Sequence, residues 1–234
     1  MIKYGVNIYR SIIIMAPSIE DFGGKVNPTS LLEFVDNGGT IFAATDTTVG
    51  EVLRELAAEV GVEIDEAGTK VIDHTSYDEV HDDGSHTTIK IKPEQIIDAP
   101  KLVGSKSGPL SFDGVGMKLD PANKRVFPIA VGSKFSYSWY PADKINEYPL
   151  AIGEELVLVA GLQARNNARV VIAGSYAMFS DKFQANNAAQ ADFVKSVLLW
   201  ATKNAGVLRH SNMKHFRVGE TETPAFYTIE ETIR

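Results

Sequence analysis

Ile12-Ile13-Ile14-Met15-Ala16-Pro17 and Thr40-Ile41-Phe42-Ala43-Ala44 decide the fold class. Each is a short apolar run, too brief for an amphipathic helix, and the first is stopped by Pro17. Such runs mark strands buried on both faces. Between them, Asn27-Pro28-Thr29-Ser30 precedes Leu31, Leu32, Phe34 and Val35, which fall on one helical face, and Asn37-Gly38-Gly39 supplies the stop. After the second run, Thr48 is placed to cap a helix carrying Val52, Leu53, Leu56, Ala57 and Val60 at i, i+3/i+4 spacing. Gly61 ends that helix, and Val62-Glu63-Ile64 begins a third strand. The β-α-β-α-β order predicts an α/β domain with a parallel sheet covered by helices.

Outward from this core the texture changes. Residues 68–150 are punctuated by Gly, Pro, Ser and Asp and lack helical periodicity, while Thr87-Thr88-Ile89-Lys90-Ile91-Lys92 alternates as a half-exposed strand does. A β-rich excursion with long loops is expected there. Buried-strand character returns at residues 156–160 and 169–173, and the last long helix spans 188–204, with Phe193, Val194, Val197, Leu198 and Ala201 inward. The spacing predicts one α/β domain over residues 1–207 and a polar linker over 208–234. The two copies of Val-Gly-Ser-Lys, at 103–106 and 131–134, are too short to define a repeat.

Composition narrows the function classes. The 234 residues carry 23 Lys plus Arg against 30 Asp plus Glu, a net charge of −7, which disfavours a whole-chain electrostatic grip on nucleic acid. No cysteine is present, so disulfides, thiolate nucleophiles and Cys-ligated metals are excluded. No apolar stretch approaches the roughly 20 residues of a membrane-spanning helix, and the N-terminus does not read as a signal peptide.

Several constellations invite chemistry. Gly114-Val115-Gly116 lacks the third glycine of a dinucleotide fingerprint, because position 119 is Leu, and Asp120-Pro121 reads as a turn. Asp73, His74, Asp78, Glu79, His81, Asp82, Asp83 and His86 crowd into fourteen positions with donors that suit Zn²⁺, Mn²⁺ or Fe²⁺, or form a charged surface loop. Ser175 follows a strand as an elbow nucleophile would, but Ala173-Gly174-Ser175-Tyr176-Ala177 fails both glycine positions of that motif, and His74, His210 or His215 would have to act as base. Gln163-Ala164-Arg165-Asn166-Asn167-Ala168-Arg169 packs side-chain donors into one connection, as a docking loop, a polar brace or an ordinary turn would.

Longer strings carry a resemblance. Ala16-Pro17-Ser18-Ile19-Glu20-Asp21-Phe22-Gly23-Gly24, Val71-Ile72-Asp73-His74, Gly114-Val115-Gly116-Met117, the run from Ala160 through Gln163-Ala164-Arg165-Asn166-Asn167-Ala168-Arg169 to Val170, and Gly206-Val207-Leu208-Arg209 with His215-Phe216-Arg217-Val218-Gly219-Glu220 resemble the oligosaccharyltransferase 48 kDa subunit family. The similarity runs in order from about residue 2 to 227. It implies a non-catalytic subunit in the endoplasmic reticulum, supporting the complex that transfers an oligosaccharide from dolichyl diphosphate to Asn-x-Ser/Thr. The implied partners are the catalytic subunit, ribophorin-type subunits and a small membrane subunit, with no cofactor and no nucleic acid.

The same resemblance implies a lumenal domain similar to glutamine amidotransferases. A strand and helix are expected ahead of the region that matches Ile2, and a β-domain and membrane helix beyond Arg234, so membrane contact would run through regions outside this chain. The sheet is therefore expected to lack its first strand, leaving an open edge. Glu20, Asp21, Gly23 and Gly24, together with Gln163, Arg165, Asn166, Asn167 and Arg169, are the candidate interaction or bracing residues; none is assigned as catalytic or metal-binding. The rival readings are a metal- or serine-dependent hydrolase and a glycan-binding domain of the same fold.

Overall fold

A computed structural model describes residues 2–3 and 5–204 and two short paired strands beyond them. Strands β1 (Ile2–Lys3) and β2 (Val6–Asn7) pair with each other, and β3 (Ser11–Ile14), α1 (Pro28–Asp36), β4 (Thr40–Ala44), α2 (Glu51–Glu59) and β5 (Val62–Ile64) follow. Residues 68–150 supply β6 (Lys70–Ile72), β7 (Thr88–Ile91), α3 (Pro100–Val103), β8 (Leu110–Asp113), β9 (Met117–Leu119), β10 (Val126–Val131) and β11 (Tyr137–Trp139). Then come β12 (Val157–Gln163), β13 (Arg169–Ala173), α4 (Asp181–Gln184), α5 (Ala188–Ala201) and the short pair β14 (Lys214–His215) and β15 (Tyr227–Thr228). The segment expected to form a linker over 208–234 otherwise lies outside the described residues.

Local chemistry sets the first helix. Asn27 accepts from the Ser30 amide while the Ser30 hydroxyl accepts from the Asn27 amide, a reciprocal cap, and Pro28 occupies the first turn, where its missing N–H costs nothing. Leu31, Phe34 and Val35 then share the buried face.

The parallel-sheet expectation needs correcting, because the sheet is mixed. Its order is β3-β4-β13-β12-β9-β5, with β10 also paired to β12, and only the β3–β4 and β4–β13 pairs are parallel. β5 does not join β4. The place beside β4 goes to β13, whose five residues are all buried, as are the five of β4. Val62-Glu63-Ile64 alternates buried, exposed, buried, a pattern suited to the sheet margin, where it pairs antiparallel with β9. β12 returns antiparallel to β13 because the turn between them is too short for a crossover.

Two cores form on the two faces of this sheet. Ile14, Ile41, Ala43, Val170 and Ile172 pack with Leu31, Phe34, Leu53 and Leu56 of α1 and α2. Phe42, Ala44, Val171 and Ala173 face Phe193, Val197 and Trp200 of α5. The alternation along β4 and β13 thus feeds both layers. Among the described residues β3 is a sheet edge, and Ile13 (53% exposed) and Met15 (39%) stand open there.

Candidate functional site

The 163–169 connection sits where the two helical layers end. Ala164 N–H donates to Ala168 C=O and Asn167 N–H to Ala164 C=O, both at 2.9 Å, closing the turn. Asn167 takes φ +60°, a left-handed conformation asparagine tolerates. Asn166 then reaches under α1, its Nδ2 donating to the carbonyls of Asp36 (2.9 Å) and Val35 (3.3 Å), while its Oδ1 accepts from Ala168 N–H. These are carbonyls at the helix end with no partner inside the helix.

Arg169 does the same on the opposite face. Its guanidinium, 1% exposed, donates from Nη1 to Trp200 C=O (2.6 Å) at the end of α5, donates to Asn167 Oδ1 (3.3 Å), and lies 4.9 Å from the centre of the Trp200 ring. Lys203 adds a bond to Gly38 C=O at 2.6 Å. Burial pulls the Arg169 pKa down to about 10, so it stays charged at neutral pH. Burial also lowers the Lys203 ammonium, and the charges of Arg169 and Arg10 push it the same way. The cations gather at the carbonyl end of α5, where the helix dipole favours them. Gln163 pairs with Arg169 across the β12–β13 ladder, and Arg165 is exposed.

The 18–24 loop closes over the start of α2. Gly50 precedes that helix and has no side chain with which to cap it; instead Glu20 Oε2 accepts from Glu51 N–H at 3.1 Å. Thr48, the expected cap, lies in an Asp46 turn, its amide and hydroxyl both donating to Asp46 Oδ1. Gly50 N–H donates to Pro17 C=O (2.9 Å), and a Cβ at Gly50 would collide with the Ile19 carbonyl. Asp21 Oδ1 accepts from Gly23 N–H, and Gly23 and Gly24 both take positive φ, +77° and +66°. Glu20 and Asn166 therefore cap the N-terminus of α2 and the C-terminus of α1 on one face, and Arg169 caps α5 on the other.

The acid- and histidine-rich segment 73–86 is spread over separate tasks. Asp73 is buried; its Oδ1 accepts from Thr75 N–H, Thr75 Oγ1 and Ser76 N–H, and its Oδ2 from Ser133 Oγ (2.5 Å) and Ser136 Oγ (3.0 Å). Burial raises the Asp73 carboxyl, but the bonds from Ser133, Thr75 and Ser136 outweigh it and hold the pKa below the ordinary value. Asp78 meets Ser111 and His81; burial again raises it and these partners bring it down. Asp82 accepts the amides of Gly84, His86, Thr87 and Thr88. Among the described residues no three His, Asp or Glu converge on one point.

Ser175 is fully buried, donating to Asp113 C=O (2.6 Å) and accepting from Met178 N–H. Its hydroxyl is spent inside the fold. Gly114 and Gly174 mark a close backbone crossing, with Val115 N–H donating to Gly174 C=O, and do not form a phosphate loop. Spacing gave no sign of two partnerships: Ser133 and Ser136 with Asp73, and Tyr137 with His74. The β6–β11 pairing, which sets Tyr137 opposite Ile72, creates them.

Comparisons with known proteins agree with these strings. The family model described as OST48, N-terminal domain, matches residues 1–204. Proteins named dolichyl-diphosphooligosaccharide--protein glycosyltransferase 48 kDa subunit are similar over essentially the whole chain. The zebrafish (Danio rerio) protein is 43% identical over 248 aligned positions, covering 100% of this chain and 56% of that protein. The Drosophila melanogaster protein is 37% identical, covering 99% and 55%, and the Caenorhabditis elegans protein 36%, covering 100% and 56%. The chain thus spans about half the length of the curated relatives it matches. A solved structure titled mmIFT52 N-terminal domain superposes with a TM-score of 0.60 at 12% identity, covering 82% of this chain and 77% of that one, a likeness of fold alone. With the family model matched from residue 1 to residue 204, the chain belongs to the OST48 N-terminal domain family.

Proposed function

We propose that this domain is part of a non-catalytic subunit of the oligosaccharyltransferase complex, which supports protein N-linked glycosylation on the lumenal side of the endoplasmic reticulum. The observation that carries the reading is the family match over residues 1–204, together with relatives at 36–43% identity that bear the 48 kDa subunit name. The candidate residues support a bracing role within it. Glu20, Asn166 and Arg169 spend their polar atoms on helix ends, and Asp21, Gly23, Gly24 and Asn167 shape the loops that present them. The buried hydroxyl of Ser175 weighs against a serine hydrolase.

The surface supports assembly with other subunits, in this reading the catalytic, ribophorin-type and small membrane subunits. Beside the open edge of β3 runs a cleft of about 340 Å³ lined by Tyr9, Ile13, Met15 and Phe22. Apolar surface of this kind favours burial against further protein, and the open edge supports the reading that another strand and helix complete the sheet. Three parallel strands between α1–α2 and α5 support the likeness to glutamine-amidotransferase-type domains. Membrane attachment would come from elsewhere in the whole protein, since no helix among the described residues is long and apolar enough to cross a bilayer.

The test is affinity capture from detergent-solubilised microsomes, with the chain targeted to the lumen by an added signal peptide. A full-length 48 kDa subunit serves as control. Recovery of the catalytic and ribophorin-type subunits is expected. Recovery with the control but not with this chain would overturn the assignment of a docking surface to this domain.

A further inference from the structure

His74 and His86 come together although the rest of the acidic segment disperses. Their Nδ1 atoms are 2.8 Å apart, so one ring's N–H donates to the other ring's bare nitrogen. The remaining nitrogen of His74, Nε2, is 3.0 Å from the Tyr137 hydroxyl, and His86 is stacked on Tyr77 with ring centres 4.1 Å apart. His86 is also held at φ +58°, a conformation that non-glycine residues rarely adopt. The pair lies at the surface. The two nitrogens point at each other, with ring centres 5.1 Å apart; one ring is oriented through its far nitrogen and the other is clamped by an aromatic ring, as histidine ligands often are.

We propose that Nδ1 of His74 and Nδ1 of His86 bind one divalent transition-metal ion of the zinc type, with water completing its coordination. This goes beyond the assembly reading and does not depend on it. Metal–imidazole bonds of about 2.0–2.1 Å at a tetrahedral angle need the two nitrogens about 3.3 Å apart, so the nitrogens separate by about half an ångström and each ring pivots by roughly 35° to aim at the ion. The ion takes the place of the shared proton, which moves to the far nitrogen of the ring that carried it. With Nε2 of His74 protonated, Tyr137 Oη becomes its acceptor. Burial raises the Tyr137 pKa, so the hydroxyl stays neutral and can fill that role. Asp73, Asp78 and Asp82 do not compete, because each is already saturated by donors. Two protein ligands leave open positions, so the ion exchanges readily and softer thiolate-seeking metals have no advantage.

The test is a calorimetric titration of the full chain, without an affinity tag, with Zn²⁺, repeated with Co²⁺ under visible absorption. One ion per chain is expected, lost in His74→Ala and in His86→Ala and weakened roughly tenfold in Tyr137→Phe, which removes only the orienting contact. Should the alanine variants misfold by circular dichroism, imidazole ¹⁵N spectra of the unaltered chain decide. Zn²⁺ is then expected to shift the resonances of His74 and His86 and leave the other three histidines in place. Absence of saturable binding up to on the order of 1 mM, or a shift confined to other histidines, would overturn the site.

Discussion

Replacing Asp73 by asparagine tests what holds the 73–87 loop to the turn before β11. The substitution preserves shape and leaves an oxygen to accept from Thr75 and Ser76, but it puts an N–H₂ where Oδ2 received the hydroxyls of Ser133 and Ser136, sixty and more residues away. Each lost bond is to a buried carboxylate, a class that contributes about 1.5–3 kcal/mol. Part is recovered, because both hydroxyls can turn to accept from the new amide. The expected loss is about 2–4 kcal/mol at pH 7, measured by urea denaturation and extrapolation to water.

The sign with pH follows from linkage. The folded carboxyl is held below its ordinary value, so its contribution is complete above the unfolded pKa of about 3.9 and fades as pH falls through the folded value. The gap between wild type and Asp73→Asn should therefore be constant from pH 7 to about 5 and narrow below about pH 4. A loss under about 1 kcal/mol at pH 7, or a gap that widens on acidification, would refute the account of Asp73 as a charged pin between the two segments.

Asn166→Ala removes the donor to Asp36 and Val35 and should cost about 1 kcal/mol; amide hydrogen exchange should quicken locally at residues 36–39, and unchanged exchange there would discount the cap. Gly50→Ala drives a Cβ into the Ile19 carbonyl. It should lower stability by about 1–3 kcal/mol and open the 18–24 loop to limited proteolysis, whereas resistance equal to wild type would show that the loop does not rest on Gly50. Ile13→Lys, on the exposed edge of β3, should change stability by less than about 0.5 kcal/mol in urea denaturation. A large stability loss would mean that Ile13 is packed more deeply than the edge position implies.

The candidate chemistry was legible only in part. The donor-rich string 163–169 could be picked out because polar side chains are rare between two buried strands. Its acceptors could not be read, because backbone carbonyls at helix ends 31 and 130 residues away leave no mark in composition. The 73–86 segment misled for the same reason. Asp82 serves its own loop, Asp73 joins a serine pair sixty residues on, and two of the three histidines meet through a fold-back that spacing does not encode.

The existence and kind of most elements were determined by the sequence alone, since helical periodicity, capping residues and twice-buried apolar runs act over one to four residues along the chain. The α/β class and the two-layered core around β4 follow from those local signals. Strand order and direction were decided only in three dimensions. Val62-Glu63-Ile64 could pair with any free edge, and it went to β9 because β13, apolar on both faces, fills the central place beside β4. Pairing depends on which surfaces compete for burial, and that competition is between segments more than a hundred residues apart.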